Sequence, residues 1–294
     1  MTGGGAVRAL TVVATGPLVL VQDRGRPGYA DVGVSPSGAA DRGAFELGAR
    51  LVGNTDADAA FEVLLGGLAV RAETELTVAV TGAPCPVEVD GRPVGFAAPV
   101  HCGAGQVLRL GMAPQGLRSY VTVAGGLETV RVLGSASTDT LSGLGPAPVE
   151  AGDRFVVAPS RQTGAGAVDL APVAAPASGL VDLEITVGPR ADWLDASSSL
   201  TGRSWVVGAD SDRVGIRLEG PPLAWAEHVR GTELASEGIV RGAVQLPPSG
   251  RPIIFLADHP ATGGYPVVAV VASACLDRLA QLRPGQSVRL GSGV

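Results

Sequence analysis

The sequence predicts a mainly β protein whose short strands close into β-barrels. Three features of its 294 residues support this: 46% are hydrophobic and 17% charged, Gly and Pro number 43 and 22, and long helical periodicities are rare. This composition is typical of a well-buried protein in which Gly- and Pro-containing turns separate short strands. A few short helices are expected beside the barrels.

Alternating apolar and polar residues, bounded by turn residues, predict the strands of the first half. They cover residues 10–14, 18–22, 68–71, 76–81, 86–89, 94–96, 106–111, 118–124 and 154–158. Asp90-Gly91 lies between two of them and is a strong signal for a two-residue hairpin. In the second half, residues 252–257 and 267–271 read as buried strands.

Three helices are predicted, at residues 38–52, 190–199 and 274–282. Ser37 or Asp41 can cap the first, and Gly53-Asn54 ends it. Ser273 can cap the third, in which Leu276, Leu279 and Leu282 form an apolar stripe.

The Ala-, Pro-, Gly- and Ser-rich stretch 158–181 predicts a linker between two domains. The domains then cover residues 6–157 and 182–291, and each is expected to be a β domain. A weak repeat supports two related halves, because a Gly turn precedes an alternating strand in each copy. The copies are residues 104–110, 151–157 and 284–290.

Composition also excludes several function classes. All 22 basic residues are Arg, so a Schiff-base lysine and a Walker-type phosphate lysine are absent. The net charge of -6, without a basic cluster, argues against nucleic-acid binding. Cys85, Cys102 and Cys275 are far apart, and we expect no metal site. We expect no membrane span and a cytoplasmic protein, because no apolar run is long enough to cross a bilayer.

Two polar clusters stand out in the first half. The segment 21–29 places Gln22, Asp23, Arg24 and Arg26 directly after a strand, and guanidinium groups can grip a carboxylate or phosphate in a fork. A surface turn with internal salt bridges is the alternative. The segment 33–42 contains Ser35, Ser37, Asp41 and Arg42 at a predicted helix start, where backbone N–H groups favour anions.

Glu62 lies in an apolar run, where a carboxylate is costly unless it is paired or functional. We predict an ion pair with Arg24, Arg26 or Arg42.

The segment 258–266 of the second half lies between two predicted core strands and contains Asp258, Thr262, Gly263, Gly264 and Tyr265. Glycines let the backbone approach a ligand closely, and rigidly held loops often carry binding groups. An ordinary hairpin turn is the alternative. Gln245 belongs to a further polar cluster at a strand end in this half.

Several of these motifs occur in an order that resembles the family of C-type subunits of 5-oxoprolinase. This family is also described as biotin-dependent carboxyltransferases and as Kip-type antagonists similar to allophanate hydrolase subunit 2. The motifs are VQDRGRPGY at 21–29, GVSPSGAADR at 33–42, LVGN at 51–54, Glu-x-x-x-Gly-Gly at 62–67, SDRVGIRLEGP at 211–221, SEG at 236–238, GAVQLPPSGRPI at 242–253 and TGGYPVVAVV at 262–271. The resemblance covers about residues 8–291. Ala40 and His259-Pro260-Ala261 depart from its common pattern, without removing a charged residue.

The resemblance implies two cyclophilin-like β-barrel domains and one component of an ATP-dependent 5-oxoprolinase. That enzyme opens the lactam 5-oxoproline to glutamate, and phosphorylation of the amide oxygen would activate the stable ring. It implies two partners, a LamB/YcsF-like A-type subunit and a Kip inhibitor-like B-type subunit. The ATP site then lies on a partner or is shared with one.

The resemblance leaves two alternatives open. One is a biotin-dependent carboxyltransferase component that acts on urea or a similar amide, with biotin carried by a partner. The other is a non-catalytic antagonist of a Kip-type kinase inhibitor. For the leading interpretation, Asp23, Asp41, Asp258 and Tyr265 are the predicted catalytic residues. The predicted substrate-binding residues are Gln22, Arg24, Arg26, Ser35, Ser37, Arg42, Glu62, Gln245, Thr262, Gly263 and Gly264, of which the last three form an anion nest.

Overall fold

The computed structural model describes residues 7–160 and 170–292, and the chain in it forms two compact units. The first comprises Met1–Arg26, Asp41–Thr138 and Gly143–Pro176, and the second comprises Pro27–Ala40, Asp139–Ser142 and Ala177–Val294. The predicted domains assigned residues 27–40 and 139–142 to the N-terminal half, whereas their contacts place them with the second unit. Residues 161–169 of the predicted linker lie outside the described residues.

Two antiparallel sheets and one helix build the first unit. The strands are β1 (Ala9–Ala14), β2 (Leu18–Gln22), β3 (Ala60–Leu64), β4 (Ala69–Ala72), β5 (Leu76–Gly82), β6 (Val87–Val89), β7 (Arg92–Pro93), β8 (Pro99–Cys102), β9 (Val107–Leu110), β10 (Arg118–Val123), β11 (Leu127–Glu128) and β12 (Arg154–Val157). One sheet has the order β11-β12-β1-β4-β9-β6-β7 and the other β2-β3-β10-β5-β8. Their apolar side chains form one buried core that includes Leu10, Phe61 and Leu108.

The helix α1 (Arg42–Leu51) packs on β5 and β10 through Phe45 and a close glycine contact. An ideal Cβ at Gly48 would lie 2.9 Å from the Thr122 side chain, so a glycine allows the helix to lie against the sheet. Asp41 caps the helix, because its Oδ1 accepts the Ala44 N–H at 2.9 Å.

The second unit contains a closed barrel. Its strands are β13 (Val181–Val187), β14 (Ser204–Val207), β15 (Gly215–Glu219), β16 (Glu237–Gly238), β17 (Ala243–Gln245), β18 (Ile253–Phe255), β19 (Thr262–Gly263), β20 (Val267–Val271) and β21 (Ser287–Ser292). The barrel order is β13-β20-β17-β18-β15-β14-β21, while β16 and β19 form a separate two-stranded ribbon. Trp205, Leu218 and Val288 lie in its core. The helix α2 (Leu276–Ala280) and 3-10 turns at Ala30–Val32, Ala191–Trp193, Glu227–Val229 and Ser273–Cys275 complete the unit.

The predicted fold class, mainly β with a few short helices, is confirmed, and local turn signals located many of its strands. Asp90 and Gly91 both have positive φ, 49° and 76°, and join β6 to β7 as the hairpin signal predicts. In each copy of the repeat, a glycine with positive φ precedes a strand: Gly105 before β9, Gly152 before β12 and Gly285 before β21.

The helix predictions need correction. The first helix begins at Arg42 rather than at residue 38, because Ser37 and Gly38 have φ of 50° and 92°, outside the right-handed helical region. The helix predicted at 190–199 is one 3-10 turn, since Asp195 Oδ1 accepts the Ser197 N–H at 2.9 Å and holds a turn instead. The helix predicted at 274–282 is the turn at Ser273–Cys275 followed by α2, whose N-cap is Cys275 and not Ser273.

In the first unit the strand predictions missed β3, β8 and β11, and placed a strand at 94–96 where β7 ends at Pro93. In the second unit they missed β13, β14, β15, β16, β17 and β19. The segment 258–266 is not a hairpin turn. Its flanking strands β18 and β20 both pair with β17, so the segment crosses the end of that strand.

Candidate functional site

Asp23 lies in the first unit, 1% exposed, at the centre of a hydrogen-bond network. We call it the Asp23 centre, with Ser135, Ser137 and Arg131. Oδ1 accepts from Gly25 N at 2.8 Å, Ser135 Oγ at 2.6 Å and Ser137 Oγ at 2.7 Å, and Oδ2 accepts from Ala136 N at 2.8 Å and Arg131 Nη1 at 3.2 Å. A carboxylate offers about four lone-pair sites. This saturation suits a residue that holds the chain at 134–138, and proton transfer by Asp23 stays a prediction.

Gln22 and Arg26, on either side of Asp23, are also buried and hold the same stretch of chain. Gln22 Nε2 donates to Thr138 O at 2.8 Å, and Arg26 Nη2 donates to Ser137 O. Each keeps one buried atom without a hydrogen-bond partner among the described residues, the acceptor Gln22 Oε1 and the donor Arg26 Nη1. A planar amide presents the complementary N–H and C=O groups.

Glu62, on β3, is 4% exposed and is paired with a residue that the sequence analysis did not name. Arg118 Nε lies 3.5 Å from its Oε1, and Tyr120 Oη donates to its Oε2 at 2.7 Å. The strands explain this, because β10 pairs with β3 and brings Tyr120 opposite Glu62. Burial, followed by the charges of Glu62 and Asp41, raises the pKa of Tyr120 well above its ordinary value. The phenol therefore stays protonated and links Glu62 to the Asp41 N–H, which it accepts at 2.7 Å.

Asp258 lies in the second unit and is fully buried. We call it the Asp258 centre, with Arg213, Ser37 and Thr140. Its five donors are Arg213 Nε at 2.8 Å and Nη2 at 2.9 Å, Ser37 Oγ at 2.7 Å, and Thr140 N and Oγ1 at 2.9 and 2.8 Å. Arg213 is 3% exposed and its Nη2 also donates to Gly38 O at 2.7 Å. A buried bidentate ion pair thus ties the 258–266 segment to the Ser37-Gly38 turn.

Electrostatics keeps Asp258 ionised. Burial by itself raises the pKa of Asp258, but the Arg213 charge and the hydrogen bonds from Arg213, Ser37 and Thr140 outweigh burial, so that its pKa lies below the ordinary value. An ionised carboxylate that is already saturated suits positioning rather than proton transfer. Its predicted catalytic role stays a prediction.

His259, which departs from the common family pattern, is a buried titratable group next to Asp258. It is 4% exposed, and its Nδ1 lies 2.8 Å from Pro260 O, so that Nδ1 carries the proton in the neutral ring and Nε2 is the basic nitrogen. Burial lowers the pKa of His259, and the hydrogen bond to Pro260 only partly offsets this. The sequence signal for including His259 among the site residues was its position next to Asp258.

The Ser35–Ser37 turn differs from the predicted anion site. The Ser37 hydroxyl donates to Asp258, and Ser35 Oγ lies 3.4 Å from Ala257 O. The helix that follows begins at Arg42 and is capped by the Asp41 carboxylate. A carboxylate at the helix N-terminus takes the place of an anion there.

The two ends of the 258–266 segment differ in exposure. Asp258 is buried, whereas Thr262, Gly264 and Tyr265 are exposed. Gln245 Nε2 donates to Tyr265 O at 3.0 Å and fixes the backbone there. Neither Gly263 nor Gly264 has positive φ, and Gly263 pairs with Glu237 in the β16–β19 ribbon. These glycines therefore lack the left-handed residue of an αR-αL nest, and the anion site at Thr262, Gly263 and Gly264 stays a prediction.

The two remaining predicted arginines are at the surface. Arg24 Nη1 lies 4.0 Å from Asp56 Oδ1, with 61% of its side chain exposed, and Arg42 is exposed at the first position of α1. Within residues 7–160 and 170–292, no group of three or more His, Cys, Asp or Glu side chains is placed to hold a metal ion. None of the helices in these ranges has the length and hydropathy to span a bilayer.

The family model described as "Carboxyltransferase domain, subdomain A and B" matches residues 32–292. The chain belongs to this carboxyltransferase-domain family. The match includes the Asp258 centre together with the TGGYP segment, whereas Gln22, Asp23 and Arg26 precede it.

The chain is similar to proteins named as subunits of 5-oxoprolinase and to proteins named as urea amidolyases. The chain is 34% identical over 284 residues to the C-type subunit of 5-oxoprolinase of Escherichia coli, covering 95% of this chain and 89% of that protein. It is 30% identical over 303 residues to the urea amidolyase of Saccharomyces cerevisiae, covering 96% of this chain but 16% of that protein.

Solved structures agree in fold. The urea amidolyase of Kluyveromyces lactis superposes with a TM-score of 0.90 at 27% identity, covering 99% of this chain and 19% of that one. The crystal structure of TTHA0988 gives a TM-score of 0.87 at 32% identity, covering 98% of this chain and 56% of that one. The chain thus spans about half, or less, of the length of these solved structures.

Proposed function

We propose that this chain is the C-type subunit of an ATP-dependent 5-oxoprolinase, which opens 5-oxoproline to glutamate together with A-type and B-type subunits. The observation that carries the proposal is the extent of similarity to proteins named as C-type subunits of 5-oxoprolinase. The match covers 89% of the Escherichia coli protein and 86% of the Haemophilus influenzae protein, at 34% and 33% identity.

The geometry supports a substrate with a planar amide. Gln22 Oε1 can accept the lactam N–H, and Arg26 Nη1 can donate to the lactam oxygen, where negative charge develops when the carbonyl is attacked. Both atoms are covered by protein, so the substrate reaches them only if the protein around them moves.

The hydrogen bonds to Asp23 and Asp258 support a requirement for partner subunits in catalysis. Asp23 and Asp258 are two of the four predicted catalytic residues, with Asp41 and Tyr265, and each of the two already accepts five hydrogen bonds. We therefore infer that a partner subunit supplies the general base, and that this chain alone does not release glutamate.

Two of the buried arginines are not available to the phosphates of ATP. The sequence has no lysine, and the buried Arg118 and Arg213 are committed to Glu62 and Asp258. A triphosphate needs several free cations or a cradle of N–H groups. We propose that ATP binds to a partner subunit, and we assign no step of its chemistry to this chain.

The direct test measures glutamate release from 5-oxoproline and ATP with purified A-type and B-type partners, with and without this chain. We expect release only when all three chains are present. Release by the two partners alone, or by this chain alone, would contradict the proposal.

Substitution of Gln22 tests the amide contact in the same assay. Gln22→Leu keeps a similar volume and deletes the acceptor Oε1 together with the Nε2 donor to Thr138 O. We expect the KM for 5-oxoproline to rise about tenfold, as for one lost hydrogen bond of about 1.4 kcal/mol to the substrate. Thr74→Val is the matched control, because Thr74 Oγ1 is another buried atom of the same unit without a partner among the described residues. Equal effects of the two variants on KM would show that Gln22 has no part in binding.

A second candidate is a carboxyltransferase component that acts on urea or a similar amide with biotin carried by a partner. The family description and the names of the yeast relatives favour it. With no lysine, this chain has no residue for biotin attachment. Urea-dependent loss of the carboxyl group from a carboxybiotinylated carrier, on addition of this chain, would favour this candidate over the first.

A further inference from the structure

A cavity of about 690 Å³ lies in the second unit, beside the exposed end of the TGGYP segment. Its lining includes Leu223, Trp225, Leu234, Pro248 and Tyr265, with Arg230 also in the wall. The volume lies within the range of small-molecule sites and is far larger than a single water requires. The Asp258 centre contributes none of the residues in this lining, so the cavity is a separate feature.

The walls favour a flat, partly apolar ligand. Trp225 and Tyr265 provide two aromatic rings, and Leu223, Leu234 and Pro248 add apolar surface. Aromatic side chains bind planar groups by stacking or edge contacts. Trp225 is held in place by the edge of Trp193, whose ring centre is 5.3 Å from its own, and by the bridge between residues 194 and 225.

The indole N–H of Trp225 lacks a hydrogen-bond acceptor. Nε1 is buried and has no hydrogen-bond partner among the described residues. An indole N–H can only donate, and buried donors are nearly always satisfied. Nε1 is covered by protein, so a ligand oxygen reaches it only when the indole leaves its edge contact with Trp193 and turns toward the cavity.

Charge narrows the ligand class further. Arg230 is largely exposed, and its Nη1 pairs with the exposed Glu227 at 2.8 Å, an arrangement that leaves guanidinium N–H groups for a second carboxylate. Glu233 also lines the cavity, and a polyanion such as a triphosphate is therefore disfavoured.

We propose that this cavity binds a small cyclic amide or cyclic urea that carries a carboxylate. The ring packs between the aromatic side chains, its carbonyl oxygen accepts the Trp225 N–H, and its carboxylate meets Arg230. The choice of ring rests on the proposed function, since 5-oxoproline has all three groups. Biotin shares this chemistry, and the experiment separates the two.

The test observes the indole N–H directly. The sequence has three tryptophans, so a proton–nitrogen correlation spectrum of labelled protein shows at most three indole signals, and Trp225→Phe identifies the relevant one. Trp205 is the internal control, because its Nε1 already donates to Leu200 O at 3.2 Å. 5-Oxoproline and biotin are titrated separately, with proline, which lacks the ring carbonyl, and 2-pyrrolidinone, which lacks the carboxylate, as controls.

We expect a saturable shift of the Trp225 signal with 5-oxoproline or with biotin, an unmoved Trp205 signal, and much weaker effects of proline and 2-pyrrolidinone. Arg230→Gln should raise the Kd about tenfold, as for the loss of a hydrogen bond to a charged group, whereas Arg251→Gln, an exposed arginine outside the cavity lining, should leave it unchanged. An unmoved Trp225 signal with every compound, or equal Kd values for the two arginine variants, would overturn the proposal.

The outcome is independent of the glutamate assay. Binding without chain-dependent glutamate release would remove the proposed function and keep the site. Chain-dependent release with an unmoved Trp225 signal would keep the function and remove the site.

Discussion

The Asp23 centre and the Asp258 centre both bury a carboxylate beneath five donors, but they neutralise its charge differently. Asp258 is held by a bidentate Arg213 whose side chain is 4% exposed. Asp23 depends on two serine hydroxyls and two backbone N–H groups, and its one cation, Arg131, is 42% exposed and contacts it through a single nitrogen. A buried carboxylate can therefore be stabilised in two ways. At Asp258 the main partner is a buried guanidinium, and at Asp23 the main partners are hydroxyl and backbone N–H groups.

The largest expected effect is that of Arg213→Gln. The substitution leaves the Asp258 charge buried without its cation, and breaking such a pair costs about 3–5 kcal/mol of unfolding free energy. Urea unfolding monitored by circular dichroism measures it. Arg217→Gln is the control, since Arg217 lies four residues later on β15 and is exposed. In the double variant with Asp258→Asn, the loss should be smaller than the sum of the single losses, and additive losses would mean that the pair is not coupled.

Asp23→Asn is expected to lower the free energy of unfolding by about 2 kcal/mol, less than Arg213→Gln. An amide nitrogen replaces one carboxylate oxygen, so that a donor such as the Ala136 N–H loses its acceptor. The same unfolding measurement applies. Asp56→Asn, at the exposed Arg24 pair, should be nearly neutral. A loss at Asp23 as large as that of Arg213→Gln would show that the two centres do not differ.

The hydroxyl donor to Asp258 can be tested through pH. Ser37→Gly removes the 2.7 Å hydrogen bond, and glycine suits the φ of 50° at that position. We expect a loss of about 1.5 kcal/mol at neutral pH. The hydrogen bond helps to hold the pKa of Asp258 below its ordinary value. The stabilisation from a lowered carboxyl pKa is present above the unfolded value, about 3.9, and is lost as pH falls through the folded value.

Without Ser37 Oγ the folded pKa of Asp258 rises, so the stabilisation is lost at higher pH. The midpoint of acid unfolding should therefore move to higher pH in Ser37→Gly, relative to the exposed control Ser236→Gly. An unmoved midpoint would show that the Ser37 hydroxyl does not stabilise the ionised carboxylate.

The sequence predicted the strands better than the buried centres, for a physical reason. Strands such as β9 place Leu108 and Leu110 on the buried face and Arg109 on the exposed face, and hairpin turns carry local signals such as Asp90-Gly91. β3 was missed because its side chains are buried on both faces of the sheet, so that the alternation of apolar and polar residues is absent.

The centres depend on contacts that spacing does not encode. Ser37 and Asp258 are separated by 221 positions, and Asp23 and Ser137 by 114. The sequence therefore singled out the aspartates, each adjacent to a strand, but did not reveal their partners. Arg213 lay within a noted motif, yet nothing local distinguished it from the exposed Arg217 four residues later.

Arg131→Gln is expected to have the smallest effect and to decide how Asp23 is neutralised. Arg131 reaches Asp23 through Nη1 at 3.2 Å and also donates to Ala57 O at 2.9 Å, from a half-exposed position. Ion pairs with an exposed partner contribute about 0–1 kcal/mol, and salt weakens them. We therefore expect a loss below about 1 kcal/mol that shrinks further at high salt, measured by urea unfolding. A loss of about 3 kcal/mol or more would mean that the cation, and not the serine hydroxyls, carries the stabilisation of Asp23. The carboxylates of the two centres would then both be stabilised mainly by an arginine.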